Sequence, residues 1–147
     1  MEEYHRKDEE HFIFPEFEKR NQLVDLVKLL RTQHEAGRVV TDVVLRAAAP
    51  DAFPKEENRK ELVIAVEAFI RMYRPHETRE DTVLFPALRR MLPEKQMKEI
   101  AEQMEKSEDM VLGDEGFEKA VDQVAGIEKQ LGIYELDQFT PKASSGK

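Results

Sequence analysis

The sequence predicts an all-α protein, an antiparallel helical bundle with additional helices at its C-terminal end. Three observations predict it. Glu, Lys, Leu, Ala and Val dominate while Gly accounts for only 6 of 147 residues, a composition that favours helix over strand and turn. Apolar residues recur every three to four positions over long windows, the period of one helix face. The period-two alternation that marks a strand never persists beyond four or five residues.

The first helix is expected from Glu2 to about Arg20, bent or ended by Pro15, whose ring collides with the preceding turn. Asn21 is placed to cap the start of the next segment. From Leu23 to Ala49, one stripe is formed by Leu23, Val27, Leu30, His34, Thr41 and Leu45. Gly37 follows His34 by one turn; inside a helix it costs about 1 kcal/mol against alanine, which points to the close approach of a neighbour. Pro50 to Pro54 reads as a loop. Glu56 to Met91 is a long helix whose stripe runs Leu62, Val66, Phe69, Tyr73, His76, Glu80, Val83, Leu84 and Leu88, with bends expected at Pro75 and Pro86.

Pro93 suits the first turn of a further helix reaching about Met110. Its narrow stripe of Met97, Ile100, Ala101 and Met104 places it on the outside of the bundle. Gly113 to Gly116 is a break, and Phe117 to Leu131 gives a last amphipathic helix on Phe117, Val121, Val124, Ile127 and Leu131, stopped by Gly132. Thr140 to Lys147 is expected to be a disordered tail. The domain division is therefore 1–92 for the principal helices, 93–139 for a helical extension and 140–147 for the tail.

Composition narrows the function. A net charge of −8 argues against a nucleic-acid partner and an anionic membrane surface, which need a basic patch. With no cysteine there is no disulfide and no thiolate ligand, so any metal must be held by nitrogen and oxygen. With a charged N-terminus no signal peptide is expected, and no apolar run approaches the ~18 residues of a membrane span. A soluble, cytoplasmic protein is expected.

Two segments carry the chemistry. His76-Glu77-Thr78-Arg79-Glu80-Asp81-Thr82-Val83-Leu84-Phe85-Pro86 is echoed by His5-Arg6-Lys7-Asp8-Glu9-Glu10-His11-Phe12-Ile13-Phe14-Pro15. Both contain His, Glu four positions later, another acid, then aliphatic-Phe-Pro, every element offset by 71 residues. Positions i and i+4 share a helix face with Cβ atoms roughly 5–6 Å apart, so each segment aims an imidazole and a carboxylate the same way. His34 adds a third imidazole on an inward stripe. Burying these groups without a cation would cost several kcal/mol each. A divalent metal compensates, and imidazole with carboxylate suits iron, with manganese and zinc fitting less well. Structural zinc sites are usually sulfur-containing, and the Glu-x-x-His motif of ferritin-like bundles occurs here only once, at Glu2 to His5.

Of the neighbouring residues, Glu10 and Asp81 are candidate acceptors for a ligand imidazole N–H, and Tyr73, one turn before His76, could donate to a metal-bound ligand. His11 lies about 240° around the helix from His5 and points away.

The paired His-x-x-x-Glu segments ending in Phe-Pro, with Gln33-His34-Glu35-Ala36-Gly37-Arg38 between them, resemble the hemerythrin-like, or HHE cation-binding, domain. The resemblance covers about Tyr4 to Leu92. It implies a non-haem di-iron centre with His5, Glu9, His34, His76 and Glu80 as ligands, the glutamates bridging two irons and the histidines terminal. His5 and Glu9 then stand for the pair on the family's second helix, His34 for the ligand on the third, and His76 and Glu80 for the pair on the fourth. The family's first helix would be lacking. Leu30 and Arg38 stand where an oxygen carrier would need a further histidine. The family implies a binding or sensing protein rather than an enzyme, with dioxygen, nitric oxide or peroxide as ligand, in sensing, storage, repair or detoxification. The alternative is a truncated bundle acting as an interaction domain, with weak, mononuclear or no metal binding. A homodimer would cover the apolar stripes that a missing helix leaves open.

Overall fold

The computed structural model describes residues 6–113 and 116–141. The expectations for His5, for the start of the first helix and for most of the tail lie outside the described residues. Every regular element among the described residues is helical. A first stretch enters at residue 6, widens into a π turn at Glu9–Ile13 and continues as α1 (Phe14–Lys19). It is followed by α2 (Val24–Ala47) and by α3 (Glu56–Arg79), which runs through Pro75 without a break. A second π turn at Glu80–Leu84 leads into α4 (Phe85–Met91). Then come α5 (Glu94–Leu112), α6 (Gly116–Leu131) and a 3₁₀ turn at Leu136–Phe139. The chain divides into two compact units, Met1–Glu105 and Lys106–Lys147, with α5 passing through the boundary. No helix among the described residues is long and apolar enough to cross a membrane.

The core of the first unit joins Ile13, Phe14 and Phe17 to Val27 and Leu30 of α2, and to Leu84, Leu88 and Leu92. Burying side chains of this size stabilises by roughly 1.5–3 kcal/mol each. Met97, Ile100 and Met104 pack against this core along one edge of α5, as its narrow stripe predicts.

The two π turns stand at equivalent places in the duplicated segments, each beginning at the glutamate and ending before Phe-Pro. Proline has no amide hydrogen to give the carbonyl four residues back and clashes with it. The chain answers by adding a residue to the turn: the Phe14 N–H bonds the Glu9 carbonyl, and the Phe85 N–H bonds that of Glu80. Such wide turns are rare and concentrate at functional sites. The sequence reading expected bends at Pro15 and Pro86; what forms is a widened turn directly preceding each.

Asn21 does not cap α2. It adopts φ 51°, in the left-handed region, and ends the preceding helix. Its N–H bonds the Glu18 carbonyl at 3.1 Å, and the Gln22 N–H bonds the Phe17 carbonyl at 3.0 Å. That pair of bonds is a Schellman stop, which takes Gly or Asn at the left-handed position. Gly132 closes α6 in the same way, with φ 69° and an Ile133 N–H bond to the Glu128 carbonyl. The stripe expected through Leu45 and Val66 also needs correction. Leu45 is 66% exposed and Val66 37%, and neither belongs to the core cluster around Phe14, Phe17, Val27 and Leu30.

The Asn21 geometry makes an expected outcome checkable by chemical denaturation. Asn21→Gly should hold or raise stability, whereas Asn21→Val should lower it by about 1 kcal/mol, since a β-branched residue resists the left-handed region. An N-cap would show no preference for glycine over asparagine.

Candidate metal centre

Helices α2 and α3 face each other with His34 and His76 at the same level, and the first π turn, which precedes α1, brings Glu9 and Glu10 to that level. His34 and Glu9 are each 1% exposed, His76 4% and Glu80 5%. The two imidazoles meet edge to edge, Nε2 to Nε2 at 3.2 Å. Glu80 Oε1 lies 2.9 Å from His76 Nε2 and 3.9 Å from His34 Nε2. Glu9 Oε2 approaches His34 Nε2 at 3.5 Å. One ligand atom each from His34, His76 and Glu80 falls within a 4.8 Å cluster.

The outer nitrogens decide what these contacts mean. His34 Nδ1 sits 2.8 Å from Glu10 Oε1, and His76 Nδ1 sits 2.8 Å from Gln33 Oε1. Both partners are acceptors, so each Nδ1 carries a hydrogen, and each imidazole in its neutral form presents the Nε2 lone pair inward. Glu80 Oε1, although close to His76 Nε2, has no hydrogen-bond partner. Several acceptors therefore converge in a water-poor interior, an arrangement that is costly unless positive charge lies among them. Nitrogen and carboxylate oxygen without sulfur are the donors iron, manganese or zinc would take.

Aromatic rings wall the cluster. Phe14 stacks on His34 with centroids 5.4 Å apart, and Tyr73 stacks on His76 at 5.7 Å. Gly37 serves the close approach expected of it: a Cβ there would collide with Arg6 Nη1, which donates to the His34 carbonyl at 3.3 Å. Burial above all, then the charges of Glu80 and Glu10, raise the Glu9 carboxyl to about 8, with Arg6 opposing. Burial likewise pushes the His34 imidazole below its ordinary value, against the pull of Glu10. The centre without a cation thus retains a proton on Glu9 near neutral pH, and a bound cation would take over that proton's role.

Of the residues selected from sequence, His34, His76, Glu80 and Glu9 come together, and Glu10 supports His34. Asp81 is exposed, and the acceptor behind His76 is Gln33 from α2. His11 is exposed, with its ring against Phe12 at 4.7 Å. Gln33 and Arg6 were not singled out, because a Gln or Arg beside a ligand carries no spacing signal of its own.

The family model of the Hemerythrin HHE cation binding domain matches residues 1–88 and again 25–139. The chain belongs to the hemerythrin HHE cation-binding family. Together the two matches span most of the protein, and they share α2 and α3, the helices that carry His34 and His76. Uncharacterised protein Rv1995 of Mycobacterium tuberculosis and uncharacterised protein Mb2018 of Mycobacterium bovis are each 47% identical over 141 residues, 96% of this chain and 55% of theirs. The chain thus spans about half the length of these curated relatives. No solved structure matches it significantly. The protein is a metal-binding, hemerythrin-like protein.

The Glu9 shift sets a pH dependence for the metal-free protein. A carboxyl raised on folding favours the folded state fully below its unfolded value near 4.5, and that contribution is lost as pH rises through about 8. Metal-free protein should be more stable at pH 6 than at pH 8.5, by on the order of a few kcal/mol. Glu9→Gln should flatten the profile in denaturant titrations; an unchanged slope would show that Glu9 ionises freely.

Proposed function

We propose that the centre is a non-haem iron site and that the protein binds or senses a small iron ligand, or handles iron, rather than turning over an organic substrate. The supporting observation is the convergence of His34 Nε2 and His76 Nε2 with Glu80 Oε1, which lacks a hydrogen-bond partner. These residues and Glu9 would hold the first cation. His5, four positions before Glu9 in the chain, would bring the further imidazole that a second iron needs, with Glu9 and Glu80 serving both irons. Iron would supply a redox-active Lewis acid able to take dioxygen, nitric oxide or peroxide. Around it, Phe14 and Tyr73 exclude water, and Glu10 and Gln33 fix the imidazoles. A single iron is the second reading, favoured because His34, His76 and Glu80 fit within one 4.8 Å cluster.

Iron analysis of protein loaded anaerobically with ferrous iron and then exposed to air tests this. The dinuclear reading expects about two irons per chain and the near-ultraviolet absorption of oxo-bridged ferric iron. About one iron without that absorption supports the mononuclear reading. His76→Ala should abolish binding and His11→Ala should leave it intact. No bound iron, with a melting midpoint indifferent to chelator, overturns both in favour of a metal-free interaction domain.

A further inference from the structure

The two imidazoles are supported at equal distance by unequal groups. Behind His34 stands the Glu10 carboxylate; behind His76 stands the neutral Gln33 amide, each at 2.8 Å. Glu10 is itself held. Arg38 Nη1 lies 3.5 Å from its Oε1 and Arg31 Nη1 lies 3.9 Å from its Oε2. Neither guanidinium is loose. Arg31 also reaches Glu18 at 3.2 Å and covers the Phe14 ring at 5.1 Å, while Arg38 pairs with Glu35 at 2.8 Å. Gln33 precedes His34 in α2, so this helix supplies one imidazole and steers the other.

A carboxylate behind an imidazole draws on the Nδ1 hydrogen and increases electron density at Nε2, whereas an amide orients the ring with little added basicity. We propose that Glu10 and Gln33 are positioning residues of the centre, and that their difference in charge makes His34 the stronger donor to a cation and His76 the weaker. This rests on the cation reading of the cluster. It adds that the two sides of the centre are electronically distinct, through residues that touch no metal.

Cobalt(II) alone, followed by its visible d–d absorption and by competition with a chromophoric chelator, tests the proposal in the full chain. Glu10→Gln keeps an acceptor of the same size without the charge and should weaken cobalt binding about tenfold. Gln33→Glu adds charge at the same size and should tighten it severalfold. Gln33→Leu removes the acceptor and should weaken binding while shifting the d–d bands. Asp42→Asn, which removes an exposed charge two turns along α2, should change affinity less than twofold, about the spread expected for a remote surface charge. The proposal is overturned if Glu10→Gln and Gln33→Glu move affinity in the same direction or leave it unchanged, or if Asp42→Asn matches Glu10→Gln. Wild-type protein that takes up no cobalt would instead overturn the cation reading beneath it.

Discussion

Hydrogen-bond acceptors that point at one another inside a protein impose a constraint that little else in the chain can satisfy. His34 and His76 bring their Nε2 atoms to 3.2 Å, and Glu80 and Glu9 close on the same point. The Nδ1 hydrogens are committed outward, to Glu10 and Gln33, so they cannot relieve the crowding between the inner nitrogens. A cation can. The placing of Phe14 and Tyr73 over the rings, the seating of Arg6 in the notch at Gly37 and the proton retained on Glu9 all follow from building such a place in a bundle this small.

The wide turns show how backbone and site are linked. In each duplicated segment the proline that ends the motif can neither donate to the carbonyl a turn back nor pack closely against it, and the turn before it opens so that the preceding phenylalanine N–H reaches the glutamate carbonyl five residues back. A wider turn winds less per residue, so Glu9 and Glu10 diverge less than the usual ~100°. Both reach the same imidazole, Glu9 on its inner nitrogen and Glu10 on its outer one. The phenylalanine at the end of the first turn is the ring that stacks on His34. The Phe-Pro pair therefore bears directly on ligand geometry.

Much of this was legible in the residues alone. Periodicity located the helices, the Gly132 stop and the outer position of α5. The four-residue spacing selected His76 and Glu80, which share a face and meet in the cluster. Other features depended on contacts between segments distant in sequence. Gln33 is an ordinary polar residue until α3 brings His76 against it. Asn21 suits a helix start and a helix stop equally, and only the bonds it makes distinguish them. Leu45 and Val66 fit their stripes, yet burial requires a neighbouring helix at that level, which periodicity within one helix cannot report.

The most direct measurement of the central claim is anomalous diffraction at the iron edge from crystals grown with ferrous iron. The account predicts a peak bonded to His34 Nε2, His76 Nε2 and Glu80 Oε1, with Gln33 and Glu10 still hydrogen-bonded behind the imidazoles. A peak confined to surface carboxylates, with His76 Nε2 donating a hydrogen bond to Glu80 in an iron-free interior, would contradict it.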